Sequence, residues 1–513
     1  MKTKVIAASF LLCLLVLAAF PLVSQAALPA ASADPELDEA VARAMRVHAV
    51  PGASVAVVKN GEVAWARGYG FADPAQGLPV TPETVFDAAS IAKPVSAWGI
   101  MTLVEDGRID LDAPIRQYVT RWTLPPSEYD QDLITIRRIL SHTAGLSVEG
   151  DPGQEPGTYV PTVIEALNGA VLGMPALHVE YPPGKDYHYS SVGYTLIELA
   201  IEEVTGESFP AYMQKEVLDP LGMRNSSYEG SPRIVAQAAV AHDWYNKPLP
   251  RYEYSTRAQG NLRTTPTDLA TFLAASMPGP NGEPVGRGVL TPESVSEMLT
   301  PVAFEKSADS SHVPGLGYDL IAADGSVTGA RKTGDHRGWK PIVVMAMDQR
   351  QGIAIMANSD RAAIGFLIDI ACAWSSGLDQ HVMQADCREL MTIRNVLMGT
   401  GVILAIAAGI FTLALLRGIR SGRRKFEWRL PFGKTLLVAL LVLVLTAWWL
   451  AWHTDTLFTD VLRRYPDGAV TVRLIIPWPT AFVWVSRGLT LLLLAWISAA
   501  FLPRVKQIDR QSV

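Results

Sequence analysis

A serine is followed three residues later by a lysine within Phe86-Asp87-Ala88-Ala89-Ser90-Ile91-Ala92-Lys93-Pro94. If the chain is helical from Ile91, Ser90 lies at the helix N-terminus and Lys93 one turn along the same face. A serine hydroxyl is a weak nucleophile at neutral pH, and an amine of depressed pKa beside it can take its proton. The helix N-terminus disfavours an ammonium and favours developing negative charge. The same spacing also describes a helix-capping serine before an ordinary lysine, so the pattern gains meaning only from its context.

Two further groups can supply that context. Tyr189-Ser190-Ser191 sits in a turn-rich loop over 181–194. Lys332-Thr333-Gly334 ends a strand-like stretch over 327–333. A phenol is too weak a base unless neighbouring lysines lower its pKa. His142, in Ser141-His142-Thr143-Ala144-Gly145, has no carboxylate close by in sequence and reads as a structural histidine rather than a catalytic one. The 9 histidines show no His-Glu-x-x-His spacing, so no metal is expected.

The elements that must position these residues follow from periodicity. Leu37, Val41, Ala44, Met45 and Val47 line one side of a helix over 37–48, which Pro51-Gly52 stops. Residues 53–59 alternate like a strand, Asn60-Gly61 is a two-residue hairpin signal, and 62–68 return as a second strand. Helices are expected from the Ser90 segment to Asp106-Gly107, over 135–140, 195–205 and 209–218, and after a capping signal at Thr267 or Asp268. Strands over 327–333, 341–347 and 353–357 precede a closing helix over 361–374. Strands at both ends with helices between them predict an α+β domain whose antiparallel sheet is built from both ends of the chain segment.

The remaining chain is more apolar. Hydrophobic residues make up 49% and charged ones 18%. Lys2 and Lys4 precede an apolar run over 5–23, and Ser24-Gln25-Ala26 offers a cleavage site, so 1–26 reads as a signal peptide, with an uncleaved anchor as the alternative. A linker over 27–36 leads into an extracytoplasmic domain over 37–380, and a second linker over 381–394 follows. Apolar runs at 395–416, 435–452 and 481–502 have the length a bilayer needs and predict a three-helix transmembrane region over 395–503. Arg417, Arg420, Arg423, Arg424, Lys425, Arg429 and Lys434 place the first inter-helix loop in the cytoplasm, with a short cytoplasmic tail over 504–513. The expected location is thus the cytoplasmic membrane, multi-pass, with the lipid bilayer as a partner. Cys372 and Cys387 fall on the outer side, where they can pair or remain buried thiols. A net charge of −6 without a broad basic field excludes a nucleic-acid partner.

Ser90-x-x-Lys93, Tyr189-Ser190-Ser191 and Lys332-Thr333-Gly334, in that order, resemble the penicillin-recognising serine hydrolases, in particular the class C β-lactamase and DD-peptidase-like branch. The resemblance covers about residues 38–375 and extends to 140–146, Pro183-Gly184, Gly193-Tyr194, 204–206, 220–223, 265–269 and Gly338-Trp339. It implies a β-lactamase/DD-peptidase-like fold: an antiparallel sheet flanked by helices, plus an all-helical subdomain. It also implies that Ser90 forms an acyl-enzyme, that Lys93 and Tyr189 share the proton traffic, and that Lys332 and Thr333 face a substrate carboxylate. The implied oxyanion hole is the backbone N–H groups of Ser90 and Asp335, the residue after Gly334, and the resemblance implies no other cofactor. Tyr187 is a rival for Tyr189, and the spacing to Gly193-Tyr194 favours Tyr189.

The chain departs from the family pattern at two places. Ser191 stands where the tyrosine motif usually ends in Asn. A hydroxyl cannot match an amide that donates to substrate and accepts from lysine at once. Asp335-His336-Arg337 replaces small residues after the triplet. The expected activity is acyl transfer to water from a β-lactam, a D-alanyl-D-alanine-type peptide or an ester of the cell envelope. The alternatives are an esterase or D-aminoacyl esterase on envelope polymers and, from another class, a penicillin-binding sensor that acylates without turnover.

Overall fold

The computed structural model describes residues 34–147, 150–171, 174–305, 313–323, 326–379 and 382–423. The expected signal peptide (1–26) and the runs 435–452 and 481–502 lie outside the described residues. The chain forms two compact units that divide in sequence after Asp360.

The first unit opens with a helix over Pro35–His48, two residues into the stretch expected as a linker. Asp34 caps it by accepting from the Leu37 N–H at 3.2 Å, and Pro35 supplies a preset first helical residue. Leu37, Val41 and Ala44 are buried along one face, as their spacing predicts, whereas Val47, expected on the same side, is exposed in the last turn. β1 (Gly52–Lys59) and β2 (Glu62–Asp73) form an antiparallel hairpin. At its turn Asn60 and Gly61 both have positive φ, 55° and 76°, as a tight two-residue hairpin loop requires.

β3 (Leu78–Pro79) pairs with β2, and β4 (Phe86–Asp87) with β5 (Arg263–Thr264) in a separate two-stranded ribbon. β6 (Asp319–Ala323), β7 (Ser326–Thr333), β8 (Lys340–Ala346) and β9 (Gln351–Ala357) complete the main sheet. Its order is β3-β2-β1-β9-β8-β7-β6, with every pairing antiparallel. Val55 of β1 faces Ile355 of β9, so the two ends of the unit meet at the sheet centre. All of β8 and all but the first residue of β9 are buried, which is why these strands read as apolar runs rather than alternations.

The helices between the strands hold the site. The helix Ala92–Glu105 buries all but three of its residues and packs against Tyr194–Thr205 and Phe209–Met213. Gly99 permits that packing, because a Cβ there would lie 2.2 Å from Met213 Sδ. The helix expected over 209–218 stops at Met213 and continues as a π turn over Gln214–Leu218. The helix Pro266–Ala275 packs on β1, β2 and β9. Its cap is Thr265, not the expected Thr267 or Asp268, because Pro266 takes the first helical position and the Thr265 hydroxyl accepts from the Asp268 N–H at 3.1 Å.

The second unit contains the helices Ile364–Ser376 and Gln384–Arg420, joined by a Cys372–Cys387 disulfide with a Cα–Cα distance of 5.9 Å. The second helix begins inside the stretch expected as a linker over 381–394. The expected run 395–416 forms its C-terminal part, after early turns that carry Asp386, Arg388, Glu389 and Arg394. Among the described residues no helix is long and apolar enough to cross a membrane.

Candidate active site

The turn that carries Ser90, the candidate nucleophile, starts at β4. Asp87 ends that strand, and its Oδ1 accepts from the Ala89 N–H at 2.8 Å. This bond holds Ala89 at φ 44°, a left-handed conformation that costs a residue with a Cβ about 1–3 kcal/mol. A 3-10 turn over Ala89–Ile91 follows, and the α-helix begins at Ala92, one residue later than the sequence pattern places it. Ser90 is half-buried on this turn, and Lys93 lies fully buried below it.

Lys93 Nζ is 3.0 Å from Ser90 Oγ, 3.2 Å from Ser191 Oγ and 2.6 Å from the Gln259 carbonyl oxygen. Burial pulls its pKa below the usual lysine range; the Tyr189 charge opposes this and Lys332 adds to it. Tyr189 donates from its hydroxyl to Ser90 Oγ at 3.0 Å. Burial works against a phenolate there, but the charges of Lys93 and Lys332 outweigh it and hold the pKa at about 8. Lys93 Nζ lies 5.3 Å and Lys332 Nζ 5.0 Å from the Tyr189 ring centroid, so two cations flank one ring. A tyrosine in that field can act as a base near neutral pH.

The structure therefore brings Ser90, Lys93, Tyr189 and Ser191 into one hydrogen-bonded cluster, with Lys332 against Tyr189. Tyr187, the rival tyrosine, is pushed well above the usual phenol range by burial. His142 supports the cluster from behind. Its ring packs 4.2 Å from that of Tyr189, and its Nδ1 accepts from the Ser190 N–H at 3.3 Å.

Gly334 joins the lysine strand to the nucleophile turn. A Cβ on it would lie 2.7 Å from the Ala88 carbonyl oxygen and 2.9 Å from Ala89 Cβ. The expected oxyanion pair, the N–H groups of Ser90 and Asp335, sits on the two segments that this glycine lets approach. Thr333 is half-buried beside it. The Asp335 carboxylate is exposed and accepts from Lys340 Nζ at 2.7 Å. Lys340 also donates to the His336 carbonyl at 2.8 Å and to Asp360 Oδ1 at 2.6 Å, which pins the loop. His336 Nδ1 lies 3.2 Å from Asp87 Oδ2, and the imidazole stacks on Tyr254 at 4.6 Å. Asp87 thus ties the nucleophile turn to the loop that follows Gly334.

Sequence reasoning passes over Asp319, whose two carboxylate oxygens each lie 3.3 Å from Lys332 Nζ. It also passes over the Gln259 carbonyl on Lys93 and the Asp87–His336 pair. Asp319 stands at the start of β6, a strand without a clear alternating pattern, and only that strand's pairing with β7 points to it.

A family profile described as Beta-lactamase matches residues 37–366. Protein flp of Staphylococcus aureus strain N315 is 27% identical over 208 residues, covering 40% of this chain and 41% of that protein. Esterase EstB of Burkholderia gladioli is 28% identical over 208 residues, covering 39% and 53%. The chain thus spans about two-fifths to one-half of the length of these curated relatives. Among solved structures, the octameric penicillin-binding protein homologue from Pyrococcus abyssi aligns with a TM-score of 0.57 and 24% identity, over 69% of this chain and 79% of that one. A class C beta-lactamase aligns with a TM-score of 0.56 and 19% identity, over 67% and 96%. Those two likenesses establish a shared α+β fold, an antiparallel sheet with helices. Because the family match also takes in more than half of the chain, including the serine, tyrosine and lysine clusters, the protein belongs to the beta-lactamase family.

Proposed function

We propose that this protein is a serine hydrolase that works through an acyl-enzyme on Ser90, in the manner of β-lactamases and D-alanyl-D-alanine carboxypeptidases. The observation that carries the reading is the position of Ser90 Oγ, 3.0 Å from both Lys93 Nζ and the Tyr189 hydroxyl. Ser90 Oγ adds to a substrate carbonyl carbon while its proton passes to the Tyr189–Lys93 pair. The oxyanion is held by the N–H groups of Ser90 and Asp335, and each such donor contributes about a hundredfold in rate. Collapse breaks the bond to the leaving group, which takes the proton. Water then attacks the Ser90 ester and gives its proton to the same pair, and Ser90 Oγ leaves and is reprotonated. A fluorescent fluorophosphonate should label the protein, and label retained after Ser90→Ala would defeat the assignment.

An ester substrate is the second reading. It is favoured by Ser191, whose short hydroxyl contacts Lys93 where an amide would be expected, and by the similarity to a protein named as an esterase.

The same proposal puts the catalytic unit outside the cytoplasm, tethered to the cytoplasmic membrane, so that it acts on small-molecule, peptide or ester substrates of the cell envelope. The signal-like segment over 1–26 and the basic loop over 417–434 support this location. The Cys372–Cys387 disulfide fits an oxidising compartment. Protease protection in oriented vesicles tests it, and cleavage within 417–434 from the outside would reverse the topology.

A further inference from the structure

Lys332 is buried, with its side chain 3% exposed, and the Asp319 carboxylate bound to it is 32% exposed. Both Asp319 oxygens lie 3.3 Å from the lysine nitrogen, so the more exposed carboxylate holds the buried amine with both of its oxygens. At the end of β7, which closes on Lys-Thr-Gly, an incoming substrate carboxylate would seek this same nitrogen. Here it meets a carboxylate already in place. Two carboxylates on one lysine repel each other, and the incoming one would also lose its own hydration. The Asp319 charge also reaches Lys93 and the Tyr187 and Tyr194 phenols.

We propose that Asp319 is a specificity-determining residue that fills the substrate-carboxylate position on Lys332, so that the enzyme takes esters whose leaving group carries no free carboxylate. The inference rests on the Ser90 hydrolase reading above. Lys332 then keeps one duty, lending its charge to the Tyr189 ring 5.0 Å away, and Thr333 is left as a neutral hydrogen-bonding group beside an uncharged leaving group. No atom balance changes: Ser90 still gains the acyl group, and the leaving alkoxide still takes a proton from the Tyr189–Lys93 pair. Ser191 works in the same direction, because it withholds the amide that a peptide substrate would bond.

The test uses the full chain in detergent and two esters that differ at one group, benzoylglycyl D-lactate with a free carboxylate and its methyl ester. Their kcat/KM values are compared for wild type, Asp319→Asn and Asp319→Ser. Wild type should prefer the methyl ester by about tenfold or more, the scale of one charge-assisted contact. Each variant that folds, as judged by circular dichroism, should shift the ratio toward the free carboxylate by a similar factor. An equal rate on both esters in wild type, or an unchanged ratio in the variants, overturns the proposal while leaving the hydrolase reading intact. Failure to cleave either ester, together with no fluorophosphonate label on Ser90, overturns both.

Discussion

Ser191 Oγ lies 3.2 Å from the same Lys93 amine that reaches Ser90 Oγ at 3.0 Å, so one buried nitrogen spans the nucleophile and the residue two positions after Tyr189. The hydroxyl is one of three hydrogen-bond partners of Lys93 and, unlike an amide, carries no second donor for a substrate. Replacing it by asparagine keeps an acceptor for the amine and adds a donor that can reach a substrate amide. Ser191→Asn is expected to raise kcat/KM on an amide or β-lactam such as nitrocefin by about tenfold, the worth of one well-placed hydrogen bond. Unchanged nitrocefin turnover in a variant that still takes the fluorophosphonate label would remove Ser191 as the element that disfavours amides.

The paired lysines around Tyr189 set the pH at which it can work. Its pKa is held at about 8, and in the proposed mechanism the form that accepts the Ser90 proton is the phenolate. Below that pH the phenol is protonated, so kcat/KM should fall about tenfold per unit on the acid side and level off above about 8. Tyr189→Phe should cost about a hundredfold or more and abolish that limb of the profile. A profile that keeps the same acid limb in the Phe variant would transfer the role to Lys93 alone.

Asp87 makes two contacts that join the two halves of the site: Oδ1 to the Ala89 N–H at 2.8 Å, and Oδ2 to His336 at 3.2 Å. Asp87→Asn keeps the size and one acceptor but loses the charge on His336. We expect kcat to fall about tenfold while KM changes little, because the pair positions the oxyanion donors and does not touch substrate. A drop confined to thermal stability, with kcat unchanged per folded molecule, would reduce the pair to a structural strut.

Much of this architecture is legible in the sequence. The hairpin through Asn60-Gly61, the helix after Ser90 and the apolar strands 341–347 and 353–357 each carry a local signal, and each forms close to where that signal places it. The three candidate site clusters are legible because each is contiguous. Asp319 and Asp87 are not, since their importance comes from partners 13 and 249 residues away that only the sheet and the ribbon bring together. The two-residue ribbon of Phe86–Asp87 with Arg263–Thr264 is too short to show periodicity, yet it fixes the residue that shapes the nucleophile turn. The cysteine pair is ambiguous in sequence for a similar reason: spacing alone does not say that Cys372 and Cys387 come within 5.9 Å between their Cα atoms.

Gly334 offers a way to test the oxyanion geometry without touching a side chain of the catalytic cluster. A methyl group there would press on the Ala88 carbonyl at 2.7 Å, on Pro341 Cγ at 2.7 Å and on Ala89 Cβ at 2.9 Å. Two of these neighbours are part of the turn that presents Ser90, and that turn is already held in a left-handed conformation at Ala89. Gly334→Ala should therefore part the Ser90 and Asp335 N–H groups, while the strand pairing further along, from Thr333 with Ile342 to Gly329 with Ala346, lies away from the added atom. Loss of one aligned oxyanion donor costs about a hundredfold in kcat. Gly206 is the control: it caps the helix Tyr194–Thr205 at φ 75° with nothing within 4 Å of an added Cβ, and Gly206→Asn should leave the rate as it is. A Gly334→Ala enzyme that melts and turns over like the wild type would show that the two segments do not form the oxyanion hole.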